Sequence, residues 1–557
     1  MTNYKKIAVI GAGPVGLVAL KSFLEQGHDV TAYEQQSSIG GLWNYQEDDS
    51  DGHYVSLPTD PRRYLSGCYY SLIQNTSKLM TQFSDFPVPA SMPTILRHFE
   101  YFRYLQDYAK HFNLSEHIKL GATVTDLQHA ATSAASARNI RRWEVHYESE
   151  GRNKIDTYDL VVVASGKFTH PSMPVYTGLD SFKSTVLHSV QVRRDDVFKN
   201  KRVLIVGGGF SGAEMIRNAL NGNAQSICWT VSGSLQNTDH NHWVFSRFPD
   251  ESRPNKPWDH SITRHGHPQK VFGENGKLST WLYPLNQCEM HPNPKIPGDG
   301  LAITDLPLIK KGMQSGQVRL VAPIDHFSDN SVVLSDNAKL DDVDLVVFCT
   351  GYTKAFPFLD DLWNKKDQVE AALYRHMLPT EDQLQGLAFL GLTSKISSLF
   401  PVAEMQSRWL AEFWASRCIE SDGSVYSQQE LKEFEADIQR RKESLVHREK
   451  FNFLLDSMGY MENLAIDLGC RPPVEKLIQS DKELGVALMY GPLVSTQYRL
   501  VGKHAWPKAR EYIIETAKEV CGDEWQGLME HTALYNFCNE LFLGRNATDY
   551  HVVAGAC

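Results

Sequence analysis

Two short glycine-rich stretches, each directly after an apolar run, carry the first chemistry legible in this chain. Lys5-Lys6-Ile7-Ala8-Val9-Ile10 leads into Gly11-Ala12-Gly13-Pro14-Val15-Gly16, and Arg202-Val203-Leu204-Ile205-Val206 leads into Gly207-Gly208-Gly209-Phe210-Ser211-Gly212. In a strand–turn–helix unit the first glycine permits the tight bend and the second lets the backbone approach a pyrophosphate. The last lets helix and strand pack closely. The helix that follows points its partial positive end at the phosphates. One such turn argues for one bound dinucleotide. Two argue for two, and two dinucleotides in one chain suit the passage of electrons between them.

An acidic residue refines the first site. Glu34 lies 23 positions after Gly11, at the end of the run Val30-Thr31-Ala32-Tyr33. A carboxylate there accepts from both ribose hydroxyls and selects an adenosine without a 2′-phosphate, which FAD and NAD both satisfy. The matching end of the second unit, Ile227-Cys228-Trp229-Thr230-Val231-Ser232-Gly233-Ser234, has no carboxylate. A 2′-phosphate is therefore not repelled, and Thr230, Ser232 and Ser234 offer it hydroxyls. No arginine stands at that strand end, although a phosphate favours one, and Arg217 and Arg247 are the alternatives at a distance. NADPH is favoured on this reading, and NADH stays open.

The elements that must hold these turns follow from periodicity. Leu17, Leu20, Phe23 and Leu24 recur at helical spacing, and Gly27 ends that helix. Asp159-Leu160-Val161-Val162-Val163-Ala164-Ser165-Gly166 resembles Asp344-Leu345-Val346-Val347-Phe348-Cys349-Thr350-Gly351. These read as the two crossings between a first domain and a second one inserted within it. The expected class is α/β, with two Rossmann-like dinucleotide-binding domains over residues 1–178 and 179–330. The first domain returns in 331–557, together with a C-terminal helical region. Residues 97–112 read as a helix, 130–138 as a surface loop, and 427–450 as an amphipathic helix with a solvated face. The loops 46–67 and 238–300 are expected to shape a substrate pocket.

Bulk properties exclude other classes. The chain has 557 residues, enough for several domains, and its 42% hydrophobic and 22% charged content is that of a globular protein. A formal net charge of −10 argues against a nucleic-acid partner. No run approaches the ~20 apolar residues of a membrane span. The first strand begins so early that a signal peptide is not expected. Nine cysteines are scattered without a CxxC pair, which leaves no disulfide-exchange centre or zinc knuckle and suits a reducing cytoplasm.

Further segments carry a resemblance. Gly40-Gly41-Leu42-Trp43, Ser71-Leu72-Ile73-Gln74-Asn75-Thr76-Ser77-Lys78, Phe86-Pro87-Val88-Pro89, Cys349-Thr350-Gly351-Tyr352, Gln406-Ser407-Arg408-Trp409 and Tyr498-Arg499-Leu500-Val501-Gly502 are similar to segments of class B flavin-containing monooxygenases. The resemblance runs from about residue 5 to about residue 515. The family motif FxGxxxHxxx(F/Y) is met at Phe182 and His188, while Ser184 and Val192 depart from it.

The resemblance implies FAD on the first turn and NADPH on the second, in an NADP domain inserted in the FAD domain. A nicotinamide hydride reduces the flavin, and O2 then forms a C4a-hydroperoxide. A soft nitrogen or sulfur of a small molecule attacks the distal oxygen. Gly41, Leu42, Trp43, Gln74, Asn75 and Thr76 join Gly11–Gly16, Glu34, Gly207, Gly209, Ser211, Gly212, Thr230 and Ser232 as expected cofactor contacts. Asn75 is the expected catalytic residue, because its amide both donates and accepts. His188 is expected to be structural, since this chemistry gives a general base little to do. Core packing is expected of most of Tyr64, Tyr69, Tyr70, Phe83 and Phe86. Baeyer–Villiger and N-hydroxylating oxygenases, and a non-catalytic flavin redox sensor, are the alternatives. No metal is expected, and a homodimer is an allowed assembly.

Overall fold

The computed structural model describes residues 4–46, 53–130, 142–231, 243–246, 282–284, 301–304, 306–359, 362–363, 369–393, 398–420, 424–446 and 457–530. The first glycine turn joins strand β1 (Lys6–Ile10) to helix α1 (Pro14–Glu25), and strand β2 (Asp29–Tyr33) follows. Five parallel strands form the first sheet, in the order Leu387–Phe389, Leu160–Val163, β1, β2, Ile118–Lys119. Both faces are covered, so its central strands are apolar throughout. Ile7, Val9, Leu160 and Val162 pack with α1, while Ala8, Ile10, Val161 and Val163 pack on the opposite side. That side is closed by an antiparallel meander, Ala122–His129, Trp143–Ser149 and Arg152–Tyr158.

The second glycine turn repeats the plan with strand β3 (Arg202–Val206), helix α2 (Phe210–Asn221) and strand β4 (Ser226–Thr230). Its sheet is also five-stranded and parallel, in the order Val318–Val321, β4, β3, Leu345–Phe348, Thr185–His188. A meander of Ile324–Ser328, Ser331–Leu334 and Lys339–Asp341 covers the face of Leu204, Val206 and Phe348.

All strands of the second sheet fall in sequence between Leu160–Val163 and Leu387–Phe389, so this unit is inserted in the first. The sequence reading returned the chain to the first domain at residue 331. The strand pairing carries the second sheet on to Phe348, because Leu345–Phe348 lies against β3. The two crossings pair with each other directly beyond that strand. His170–Pro171 runs antiparallel to Tyr352–Thr353, and the Ser172 amide donates to the Gly351 carbonyl at 2.9 Å.

Helix α3 (Leu399–Ala415) shares the first domain's core with α1. Lys5 closes its far end: the buried ammonium donates to the carbonyls of Trp414 and Arg417, both at 2.7 Å. A buried ionic cluster fixes its near half. Arg499, 1% exposed, pairs with Asp85 at 2.9 Å and Glu404 at 3.1 Å, while Lys21 of α1 also meets Asp85. Arg408 donates to the Tyr498 carbonyl. Helix Gln428–Val446 turns Leu431, Phe434 and Ile438 inward, as its amphipathic pattern predicts.

Candidate cofactor and oxygenation site

Backbone contacts explain the first turn's glycines. At Gly11 φ is +104°, and a Cβ would stand 2.7 Å from the Ala164 carbonyl oxygen. At Gly16 a Cβ would meet the Gly11 carbonyl oxygen at 1.9 Å, so strand and helix pack backbone to backbone. Gly41 rests on Gly13, where its Cβ would lie 3.0 Å from the Gly13 Cα. The loop Gly40–Trp43 is tied to the turn by the Gly40 amide, which donates to the Ala12 carbonyl at 3.0 Å. No described side chain caps the N-terminus of α1, so its first amides are left for a ligand. Ala12, Pro14 and Val15 are buried behind the turn.

Glu34 sits under this turn at 1% exposure. Its Oε2 accepts the Ala12 amide and its Oε1 the Gln36 amide. Burial raises its pKa above the ordinary carboxylate value, and the backbone donors oppose that shift. The carboxylate therefore braces the turn before it meets any ribose.

The second turn reproduces the constraints. A Cβ on Gly207 (φ +124°) would stand 2.4 Å from the Cys349 carbonyl oxygen, and one on Gly212 would stand 2.1 Å from the Gly207 carbonyl oxygen. Nothing lies within 4 Å of a Cβ built on Gly209, so this glycine faces open space. No described side chain caps α2 either, and Ser211 is half-buried in its first turn. Both turns thus fit a dinucleotide pyrophosphate.

The strand-end hydroxyls fare differently. Thr230 is 2% exposed and donates to the Ala322 carbonyl at 2.9 Å, so its hydroxyl serves the fold and is not turned to a phosphate. Arg217 is buried and engaged with Glu214 and with the Ser71 carbonyl, which removes it as a phosphate partner. Ser232, Ser234, Arg247, residues 47–52 of the loop 46–67 and most of the loop 238–300 lie outside the described residues.

The segment bearing Asn75 lies between the two units. Ser66 donates to the Leu42 carbonyl, and a Cβ on Gly67 would touch the Tyr352 hydroxyl at 3.4 Å. Trp43 packs on Tyr101 and Phe400, with centroids 4.9 and 6.2 Å away. The Gln74 backbone amide donates to the Leu96 carbonyl, and the Oε1 of its buried side chain accepts from Thr81. Asn75 and Thr76 are half-buried. Phe83 and Phe86 pack on Tyr104 and Tyr108 in the core, whereas Tyr70 is 62% exposed.

His188 is fully buried at the crossing. Its Nδ1 accepts the Val190 amide at 3.2 Å, so Nε2 carries the proton and donates to the Gly351 carbonyl at 3.0 Å. Burial holds its pKa down at about 4, and the ring is a neutral strut. Val192, at 0% exposure, belongs to the second unit's core, which an aliphatic side chain fills as well as an aromatic one. Sequence reasoning missed Glu214, Asp195 and Asn218, which meet the segment ahead of Asn75. No local pattern marks them, because their partners lie more than a hundred residues away.

Two dinucleotide turns, one unit inserted in the other and a shared segment between them, define a two-dinucleotide oxidoreductase. Residues 4–522 match the flavin-binding monooxygenase-like family, and the chain belongs to it. It is 30% identical to N-oxide-forming dimethylaniline monooxygenase 2 of Rattus norvegicus, over 93% of this chain and 92% of that one. It is 29% identical to flavin-containing monooxygenase 2 of Homo sapiens with the same coverage. Among solved structures, S-allyl-L-cysteine S-oxygenase from Allium sativum superposes with a TM-score of 0.59 at 20% identity. That match covers 97% of this chain and 99% of that one. An open crystal structure of cyclohexanone monooxygenase gives 0.55 at 18% identity, over 84% and 98%. Both share the fold. The protein is a flavin-dependent monooxygenase working with FAD, NADPH and O2. No helix among the described residues is long and apolar enough to cross a membrane.

Proposed function

We propose that this enzyme transfers one oxygen atom of O2 to a soft nucleophilic nitrogen or sulfur of a small molecule. The N-oxide-forming relatives support nitrogen as the acceptor, and sulfur shares the required polarisability. NADPH, H⁺, O2 and the substrate become NADP⁺, the N-oxide or S-oxide, and water. FAD, when bound, supplies the electron transfer and oxygen activation that side chains lack.

The chain binds, orients and shelters. Gly11, Ala12, Gly13, Pro14, Val15 and Gly16 hold the FAD pyrophosphate, with Glu34 at the adenosine and Gly41, Leu42 and Trp43 as the overlying loop. Gly207, Gly209, Ser211 and Gly212 hold NADPH. Gln74, Asn75 and Thr76 stand between, and Asn75 is the catalytic residue, an amide able to donate to one cofactor and accept from the other. The observation that carries this reading is the fastening of the Asn75 segment to the first turn's loop at Leu42 and to α2 at Glu214. Water exclusion there directs oxygen to the substrate and away from hydrogen peroxide.

Labelled O2 tests the proposal. The purified enzyme, given NADPH, is offered a tertiary aryl amine, a thioether and a cyclic ketone. One labelled atom in the amine or thioether product is expected. An ester from the ketone alone would move the enzyme to the Baeyer–Villiger alternative. NADPH oxidation without any oxygenated product would contradict the proposal outright. The same reading places the enzyme in the cytoplasm, where its buried thiols at Cys68, Cys228, Cys349 and Cys470 stay reduced. Cell fractionation tests the location, and light scattering tests whether the chain forms the allowed homodimer.

A further inference from the structure

A set of buried polar side chains ties the Asn75 segment to α2, and neither glycine turn requires it. The Tyr69 hydroxyl donates to Glu214 Oε2 at 3.0 Å. Arg217 pairs with the same oxygen at 3.1 Å and donates to the Ser71 carbonyl at 2.9 Å and to Asn218 Oδ1 at 3.1 Å. The Ser71 hydroxyl donates to Asp195 Oδ1 at 2.6 Å and lies 3.3 Å from Asn218 Oδ1. The Tyr70 amide adds a bond to the Arg193 carbonyl at 2.8 Å. Glu214, Arg217 and Asn218 are all more than nine-tenths buried.

Burying a carboxylate and a guanidinium is costly unless every hydrogen-bonding site is matched, and well-packed apolar residues would serve stability as well. What this cluster adds is a fixed position for one backbone segment on one helix. The helix is the one whose N-terminus would hold the second pyrophosphate, and Glu214 stands one turn inside it. The segment is the one that reaches Asn75 four residues after Ser71.

We propose that Tyr69, Ser71, Asp195, Glu214 and Arg217 form a positioning latch, which sets Asn75 against the NADPH-binding helix and so governs how long activated oxygen is sheltered. The proposal rests on the reading of Asn75 as the residue between the cofactors. These are positioning residues, since they act through Asn75.

The test follows the flavin spectrum after the NADPH-reduced holoenzyme is mixed with O2, without substrate. The latch predicts that S71A, D195A and Y69F each shorten the delay before the oxidised spectrum returns by at least about threefold, the scale of a small misplacement at a reacting centre. D195N, which keeps an oxygen acceptor for Ser71, restores the delay. FAD content and the NADPH concentration for half-maximal reduction stay within about twofold of the parent in all four, because the turns are untouched. A merely structural role would lower FAD content in step with the delay, and would not distinguish D195N from D195A. An unchanged delay in S71A, D195A and Y69F beside a shortened one in N75A overturns the latch and leaves the Asn75 reading standing. An unchanged delay in N75A overturns that reading and the latch with it.

Discussion

Glu34 holds the first glycine turn from beneath, its Oε2 accepting the Ala12 amide at 2.8 Å. Its other oxygen accepts the Gln36 amide at 3.0 Å, so removing the side chain orphans two buried donors. Each costs roughly 1–3 kcal/mol. E34A is expected to lose about 2–4 kcal/mol in urea unfolding and to purify with little flavin. E34Q keeps one acceptor oxygen and should lose less of both. Full flavin content in E34A would show that the turn needs no brace.

Two of the second turn's glycines, Gly207 and Gly209, should separate folding from binding. G207A forces a Cβ to within 2.4 Å of the Cys349 carbonyl oxygen at φ +124°, so the turn must distort. G209A adds a methyl group to open space. G207A should lower the melting temperature and raise the half-saturating NADPH concentration about tenfold or more, because the amides aimed at the phosphates shift. G209A should leave the melting temperature and FAD content unchanged and weaken NADPH alone, by crowding its phosphates. Titrations with NADPH and with NADH, read at the flavin band, check both variants.

Arg499 neutralises two buried carboxylates from distant parts of the chain, Asp85 and Glu404. R499M leaves Glu404 without its arginine and Asp85 with Lys21 alone. A loss of about 3–5 kcal/mol is expected, as for a buried pair broken on one side. Denaturant unfolding of the holoenzyme measures it. A loss below about 1 kcal/mol would mean that water reaches the cluster.

The turns were legible in the sequence because their cause is local. Gly11 and Gly16, like Gly207 and Gly212, are bare because a carbonyl five residues away or on the adjoining strand occupies the Cβ position. The limits of the inserted unit were less legible. Asp159–Gly166 and Asp344–Gly351 look alike because each is the strand next to a glycine strand, one in each sheet. Residue pattern cannot say which sheet a buried parallel strand joins, and so the second unit extends beyond residue 330. Arg408 and Arg499 stood out only as parts of matching segments. Their roles depend on Asp85, Glu404 and Tyr498, brought together by tertiary packing. Thr230 was misleading for a related reason: its place at the strand end was read correctly, but its direction is set by the Ala322 carbonyl.

His188 gives the fold a pH dependence of definite sign. Its pKa falls from 6.5 to about 4 on folding, chiefly through burial. Between those values the unfolded chain binds a proton that the folded one refuses. The stabilisation is full above about pH 6.5 and is lost as the pH falls towards about 4. His28, also buried and lowered to about 4, acts in the same direction. Urea unfolding at pH 7.5 and at pH 5 should show the parent losing stability on acidification and H188L losing less. Equal losses in the two proteins would place the titration elsewhere.

The central claim is that NADPH and FAD meet in a site that shelters activated oxygen, and rapid mixing tests it most directly. Anaerobic NADPH should bleach the flavin band of the holoenzyme, and O2 should restore the oxidised spectrum only after a delay that lengthens with added NADP⁺. Immediate return of the oxidised band, with one hydrogen peroxide released per NADPH whether or not NADP⁺ is present, would contradict the account.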